Sequence, residues 1–75
     1  MLIILTETQR HIERMKWVSH AANFFASCID GATQDDLDDA VIMALAWFNS
    51  GNSGARSVYA SYDLIRKRAQ SRNKN

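Results

Sequence analysis

The chain has 75 residues, an apolar fraction of 47%, 23% charged residues and a net charge of +1. These values are typical of a globular domain, and they exclude both a disordered chain and a strongly charged surface. At this length we expect one domain over residues 1–75, with a small hydrophobic core and marginal stability.

Small domains are usually stabilised by disulfides, by a structural metal ion or by association with another chain. Cys28 is the only cysteine, so no disulfide can form within the chain. With only His11 and His20 beside it, the sequence also lacks the four ligands of a zinc site. We therefore expect no metal and no cofactor, and association with another chain remains as the source of extra stability.

No apolar run reaches the ~20 residues that a membrane-spanning helix needs. The apolar residues Leu2–Leu5 near the start have neither the preceding basic region nor the following small-residue cleavage site of a secretory signal. We expect a cytoplasmic protein without a membrane partner. Residues 2–5 could extend the first helix, dock as an apolar lead-in or pair as a short strand, and four residues do not decide among these by periodicity.

The first predicted helix covers about residues 6–30. The residues Thr6 and Gln9 form a capping-box pattern at its start. Apolar residues then recur every three or four positions, which places them on one helical face. This core stripe comprises Ile12, Met15, Val18, Ala22, Phe25 and Ile29. A second stripe beside it comprises Trp17, Ala21, Phe24 and Cys28, and it indicates that this helix contacts two neighbours.

The second predicted helix covers residues 34–49. Thr33 is a good N-cap, and the aspartates that follow place negative charge at the positive end of the helix dipole. The segment from Ala40 to Phe48 has no polar face, which predicts a helix covered by neighbours on all sides. Gly51 can adopt the left-handed conformation that ends the helix.

The third predicted helix covers about residues 54–71 and is followed by a frayed basic tail at about 71–75. Its apolar residues share one face, and they are Ala55, Val58, Tyr62, Ile65 and Ala69. The sequence therefore predicts an all-α fold, a small three-helix bundle with the second helix central. Because two neighbours cannot enclose that helix, one flank should stay open.

The sequence contains no motif that positions a nucleophile or binds a phosphate, so we expect no enzyme, no catalytic residue and no small-molecule substrate. Cys28 lies in an apolar stripe and is interpreted as a small buried hydrophobic residue. His11 and His20 are nine residues apart, unlike the i, i+4 pair that shares a metal. The aspartates of residues 35–39 lack the pattern of a calcium loop, so we interpret them as dipole partners.

Charge is distributed unevenly along the chain. Residues 54–75 carry a local net charge of +5, and residues 30–39 carry −5. In one interpretation the basic residues contact nucleic-acid phosphates. These residues are Arg56, Arg66, Lys67, Arg68 and Arg72. In the other interpretation the basic end meets an acidic segment, either of another chain or of the same one.

Large apolar residues exceed what two flanking helices can cover, and such surplus usually marks an interaction surface. The residues predicted to lie at a protein interface are Trp17, Phe24, Met43 and Trp47. We expect a non-enzymatic interaction module, either a homodimer or a small regulator or inhibitor that binds a larger protein. The alternative is a nucleic-acid-binding accessory factor that uses the basic end of the third helix. Compact helical regulators of this kind are common in phages and plasmids, so such an origin is a further expectation.

Overall fold

The protein is a bundle of three α-helices, α1 (Glu7–Ser27), α2 (Gln34–Asn49) and α3 (Gly54–Asn73). The structure is a computed structural model that describes residues 6–73, with side chains for residues 6–72. Residues 6–73 contain no strand, and the predicted all-α bundle is confirmed. The residues Leu2–Leu5 and the last two residues of the tail lie outside the described part of the chain.

Each helix begins at a residue whose side chain caps the first turn. At the start of α1, Gln9 N–H donates to Thr6 Oγ1 at 3.2 Å, and Thr6 N–H donates to Gln9 Oε1 at 2.9 Å, as the capping-box pattern predicted. Thr33 and Asp36 form the same reciprocal pair at the start of α2. Arg56 N–H donates to Ser53 Oγ at the start of α3. Local sequence therefore determines where all three helices begin.

The helix α1 ends at Ser27, three residues before the predicted limit of about residue 30. The N–H groups of Cys28 and Ile29 donate to carbonyls only three residues back, at 3.1 Å each, which tightens the last turn. Gly31 then takes a positive φ of 81°, which turns the chain away from the helix axis. As predicted, Gly51 follows α2 with a positive φ of 102°.

All three helices pack against one another around a shared core. The helix α2 contacts both neighbours, as predicted for a central helix, and α1 and α3 also contact each other. His11 of α1 stacks on Phe48 of α2, with ring centroids 5.5 Å apart, so these two helices run antiparallel. The helix α3 runs antiparallel to α2 and parallel to α1. At its far end, α3 extends two residues beyond the predicted limit, to Asn73.

The core consists mostly of small side chains. Its fully covered apolar residues are Val18, Ala22, Ala26, Ile29, Ala40, Ala44, Val58, Ile65 and Ala69. Two serines of α3, Ser57 and Ser61, are also buried, and their hydroxyls donate to backbone carbonyls at 2.8 and 2.9 Å. No aromatic ring belongs to this buried set within the described residues. Small residues let the three helix axes approach closely, which leaves no space for rings between them.

The apolar stripe of α1 is buried in part. Val18, Ala22 and Ile29 belong to the core, whereas Ile12 is 46% exposed. The apolar segment of α2 is likewise not covered on all sides, since Ile42 is 63% exposed. The expectation that Cys28 is buried is wrong, because Cys28 caps the end of α1 and is exposed. The neighbouring Ile29 packs into the core in its place, and Cys28 faces outward.

Two isoleucines test this description of the core. Ile65 is fully buried and Ile42 is 63% exposed. We expect Ile65→Ala to lower the free energy of unfolding by about 2–4 kcal/mol, because it removes buried methyl groups and leaves a cavity. The same substitution at Ile42 should change it by less than about 0.5 kcal/mol. Urea denaturation followed by circular dichroism measures both, and similar losses for the two variants would contradict the packing.

Candidate functional site

The most prominent surface of the bundle is a group of aromatic rings on the side where α1 and α3 meet. It consists of Trp17, Phe24, Phe25, Tyr59 and Tyr62, and we call it the aromatic surface. Trp17 is 54% exposed, Phe24 60% and Tyr59 61%. Isolated exposed apolar residues are ordinary, but a contiguous patch of large rings on so small a domain indicates an interaction site.

Helical spacing and ring contacts bring this aromatic surface together. Trp17 and Phe24 are seven residues apart, and they therefore lie on one face of α1. Phe25 is partly buried and joins the two helices, since its ring centroid lies 5.6 Å from that of Tyr59 and 6.0 Å from that of Tyr62. Phe24 packs edge-on to Phe25 at 5.9 Å. The rings thus form one connected layer over the groove between α1 and α3.

Gly54 allows α3 to approach Trp17 closely. A Cβ atom at Gly54 would stand 2.7 Å from Cζ3 of the Trp17 ring and 3.1 Å from Cγ2 of Val18. Any side chain at this position would therefore displace the indole. Because Gly54 has no side chain, the Trp17 ring can lie directly against the start of α3, at one end of the aromatic surface.

A shallow cleft opens at this end of the aromatic surface. It has a volume of about 200 Å³ and is lined by Trp17, Phe25, Ala55, Val58 and Tyr59. Its walls are hydrocarbon and aromatic, with the phenol of Tyr59 as the polar group. Such a cleft accepts an apolar side chain and offers no set of groups for catalysis.

The four predicted interface residues do not share one surface. Trp17 and Phe24 belong to the aromatic surface, whereas Met43 and Trp47 lie on the other side of α3. Met43 and Trp47 follow Asp36 by seven and eleven residues and so share its side of α2, which faces α3. Met43 is partly buried against the core, and Trp47 is 38% exposed. The sequence alone does not determine how α2 is rotated about its own axis relative to α1 and α3.

Conversely, sequence reasoning left Tyr59 out of the interface. Tyr59 lies on the side of α3 that faces α1, and its ring contacts Phe25. The available signal was its spacing, because Tyr59 precedes Tyr62 by three residues and so shares a face with it. That signal becomes useful only when α1 and α3 are known to be neighbours.

The basic residues of α3 form ion pairs with carboxylates of the same chain. Asp63 binds both Arg66, at 2.8 Å, and Lys67, at 3.1 Å. Arg68 Nη2 lies 2.6 Å from Asp36 Oδ1, and Arg68 Nη1 lies 2.9 Å from Asp39 Oδ2. Arg72 also binds Asp36. Four of the five predicted basic contact residues are therefore engaged, and the fifth, Arg56, is exposed without an ion pair among the described residues.

Asp36 is the centre of the strongest polar cluster in the protein. Its side chain is 1% exposed, accepts hydrogen bonds from Arg68 and Arg72, and accepts another from the Thr33 N–H at 2.9 Å. Hydrogen bonds from Arg72, from the Thr33 backbone and from Arg68 hold the pKa of Asp36 well below its usual range, although burial opposes them. Arg72 also donates to the Gly31 carbonyl at 3.3 Å. The cluster joins the α1–α2 loop, the start of α2 and the end of α3.

The antiparallel packing of α2 and α3 changes the charge distribution that the sequence suggested. The acidic residues 35–39 and the basic residues 66–72 lie at the same end of the bundle, where they largely neutralise each other. At the opposite end, Arg10, Arg14 and Arg56 form no ion pair with any described residue, while Glu13 is paired with Lys16 at 3.6 Å. The exposed positive charge therefore lies near Trp17, not at the end of α3.

The remaining candidate groups do not assemble into a reactive site. His11 stacks on Phe48, whereas His20 is exposed on another part of α1. Among the described residues, no three His, Cys, Asp or Glu side chains are grouped as a metal ion would require. None of the three helices within residues 6–73 has the length and apolar content to cross a bilayer.

A comparison of this chain with protein-family models, with curated proteins and with solved structures gives no match. No known protein therefore indicates what the aromatic surface binds.

The Asp36 cluster makes a prediction about stability. We expect Asp36→Asn to lower the free energy of unfolding by about 1.5–3 kcal/mol, because it removes the buried negative charge, and one of the two oxygens, that accept four hydrogen bonds from the two arginines. The value lies at the lower end for buried ion pairs, since both arginines are about two-fifths exposed and partly screened by water. Asp35→Asn is the matched control, and it should cost less than about 0.5 kcal/mol. Urea denaturation measures both, and equal losses would contradict a special role for Asp36.

Acid titration tests the same carboxylate independently. Because folding lowers the pKa of Asp36, its contribution to stability is fully present above the unfolded pKa of about 3.9 and is lost as the pH falls through the folded pKa. We expect the free energy of unfolding to fall below about pH 4 in the wild type, and to fall less steeply in Asp36→Asn. Asp63, whose pKa is lowered by Arg66 and Lys67, affects both proteins alike. Urea denaturation across this pH range measures the slopes, and identical slopes would contradict the assignment.

Proposed function

We propose that this protein is a non-enzymatic protein-interaction module, a small regulator or inhibitor that binds another polypeptide through its aromatic surface. The partner is either a larger protein or a second copy of the chain. Trp17, Phe24 and Tyr59 are the contact residues of this proposal, and the cleft beside Trp17 receives an apolar side chain of the partner. Met43 and Trp47 lie on a different side and are not part of this contact.

The main support for the proposal is that small side chains fill the core while large aromatic rings lie at the surface. Five of the nine buried apolar core residues are alanines, and the largest fully buried apolar side chain is Ile65. The rings of Trp17, Phe24 and Tyr59 are each more than half exposed. Burial stabilises by about 25 cal/mol per Å² of apolar surface, so a core rich in alanine contributes little per residue, while these three large rings still expose most of their surface. Association is the way in which this surface can be covered.

Two other apolar regions support a binding role less well. Ile42 is 63% exposed but lies alone on the outer face of α2. The groove between α1 and α2 contains Ile12, Met15 and Val41, but polar side chains such as Lys16 and His20 also line it. The cleft of the aromatic surface has an almost wholly apolar lining and includes a tryptophan and a tyrosine, the residues that most often dominate binding energy.

Nucleic acid is the second class of partner that the sequence suggested, through the basic end of α3. The ion pairs of Arg66, Lys67, Arg68 and Arg72 argue against it, because each phosphate contact would compete with a carboxylate already in place. Tyr59 and Tyr62 face α1, on a different side of α3 from the Asp36 cluster.

We also propose a cytoplasmic location, since an exposed thiol such as Cys28 persists in a reducing compartment.

The proposal is tested by removing two rings together. In Trp17→Ala/Phe24→Ala we expect unchanged helicity, because neither ring is in the core, and loss of every complex that the wild type forms. The protein is measured by light scattering after size exclusion, first purified and then mixed with an extract of its source cells. The wild type should elute above its monomer mass in at least one of these conditions, and the variant as a monomer in both.

The matched control is Ile42→Ala, which removes an equally exposed side chain from another face and should behave as the wild type does. A double variant that is folded and keeps the wild-type mass in both conditions would overturn the proposal. A wild type that is monomeric in both would overturn it as well.

A further inference from the structure

We infer that the occupant of the aromatic surface is a second copy of this chain, bound in an antiparallel, two-fold symmetric pair. The inference rests on the proposed function and goes beyond it by naming the partner and its orientation. In such a pair the same surface is used on both copies, so that a residue i of one contacts a residue j of the other, and the reverse.

Opposite charges lie at the two ends of the aromatic surface. The surface is therefore complementary to a second copy of itself that runs in the opposite direction. At one end Arg10 and Arg14 are exposed, and neither has an ion pair among the described residues. Glu7 lies beside them, and with Arg56 this end is net positive. At the other end Asp30 is exposed and also lacks an ion pair in the described chain. Nearby Arg66 and Lys67 are both held by Asp63, so Asp30 is the carboxylate at this end that has no cation of its own among the described residues.

These opposite charges cannot satisfy each other within one molecule. Arg10 lies 17 residues before the end of α1 at Ser27, about 25 Å along the helix, and Asp30 lies beyond that end. Two copies in antiparallel contact bring them together twice, once at each end of the surface. A parallel pair would instead place Arg14 next to Arg14 and Asp30 next to Asp30, and like charges in contact oppose association.

The symmetry axis falls beside Ala21, midway between the two exposed rings of α1. With the axis there, Trp17 of one copy lies opposite the Phe24–Phe25 region of the other. Asp30, just beyond the end of α1, then lies near the start of the partner copy's α1, which carries Arg10 and Arg14. Ala21 is small and half-buried, so the two α1 helices can approach closely at the centre. Rings then meet rings, and each carboxylate meets guanidinium groups.

The size of the surface fits a stable pair. From Arg10 to Asp30 it extends about 30 Å, and two adjacent helices make it about 20 Å wide. This projected area of about 600 Å² corresponds, with the relief of its side chains, to the roughly 800 Å² that each partner gives to a standard interface. The exposed rings lie near its centre and the charges at its rim, which is the usual arrangement of an interface.

The decisive experiment reverses charge in separate chains and then mixes them. We expect Arg14→Glu and Asp30→Lys each to weaken self-association roughly tenfold, because by symmetry each change creates two like-charged contacts. An equimolar mixture of the two variants should recover wild-type affinity within about threefold, since both contacts of the mixed pair are then attractive. Sedimentation equilibrium measures the dissociation constants.

The control for net charge is Lys16→Glu, which changes the chain's charge as Arg14→Glu does but lies outside the aromatic surface. In a mixture of Lys16→Glu with Asp30→Lys, one of the two end contacts is attractive and the other repulsive, so the mixed pair should bind more tightly than Asp30→Lys alone but more weakly than the Arg14→Glu mixture. If it gains as much as the Arg14→Glu mixture, the antiparallel contact is overturned. A purified wild type that stays monomeric at about 100 μM but forms a complex in cell extract overturns the second copy as occupant and leaves the proposed function standing.

Cysteine cross-linking reports the orientation separately. In the antiparallel pair the two Cys28 residues are about 20 Å apart, well beyond the ~4.4–6.8 Å between Cα atoms that a disulfide needs. We expect mild oxidation to leave the wild type uncross-linked and to cross-link Ala21→Cys/Cys28→Ser, because residue 21 lies beside the axis. In a parallel pair each residue lies beside its own copy, so a wild type that cross-links through Cys28 would overturn the inference, whether or not the variant also cross-links.

Discussion

The close approach of three helices over small residues is the constraint on which the rest of this structure depends. Alanines supply much of the core on each of α1, α2 and α3, and two buried serines of α3 satisfy their own hydroxyls on backbone carbonyls. A core of such small side chains leaves little interior volume for an indole or phenyl ring. The rings of α1 and α3 therefore lie over the groove between these helices, where Phe25 and Tyr62 are partly buried against the core. Exposure of the aromatic surface is thus a geometric result of the core and does not depend on the rings themselves.

Local features of the fold followed from the sequence, because local interactions determine them. Three helices are defined, without reference to their neighbours, by the capping pairs at Thr6 and Thr33, by Gly51 and by the spacing of the apolar residues. The end of α1 did not follow, since the apolar stripe continues to Ile29 although the backbone has already tightened at Cys28. The spacing of apolar residues predicts which face of a helix is buried. It does not predict where the backbone hydrogen bonds tighten and the helix ends.

The candidate site followed only in part, because it depends on how helices are rotated against one another. Trp17 and Phe24 were identified, but Met43 and Trp47 were grouped with them although α2 turns these two towards the opposite side of α3. The charge pattern left two interpretations open, and the ion pairs show that the basic end of α3 meets the acidic segment of the same chain. Counted from Gly51, Asp36 lies 15 residues before and Arg68 lies 17 residues after. That near-symmetry predicts their contact in an antiparallel hairpin and would have identified the Asp36 cluster.

The Asp36 cluster also has a consequence for the order in which the protein assembles. Arg68 and Arg72 reach Asp36 across 32 and 36 residues of chain, and Arg72 extends the contact to the Gly31 carbonyl. The cap of α2 is local, but its burial requires the last turns of α3, which are synthesised after it. During synthesis α1 and α2 therefore emerge as a hairpin whose loop is still uncovered, and the native arrangement of that loop waits for the end of α3. Closing so long a segment costs chain entropy that only the completed bundle repays, which makes the start of α2 and the end of α3 one cooperative unit.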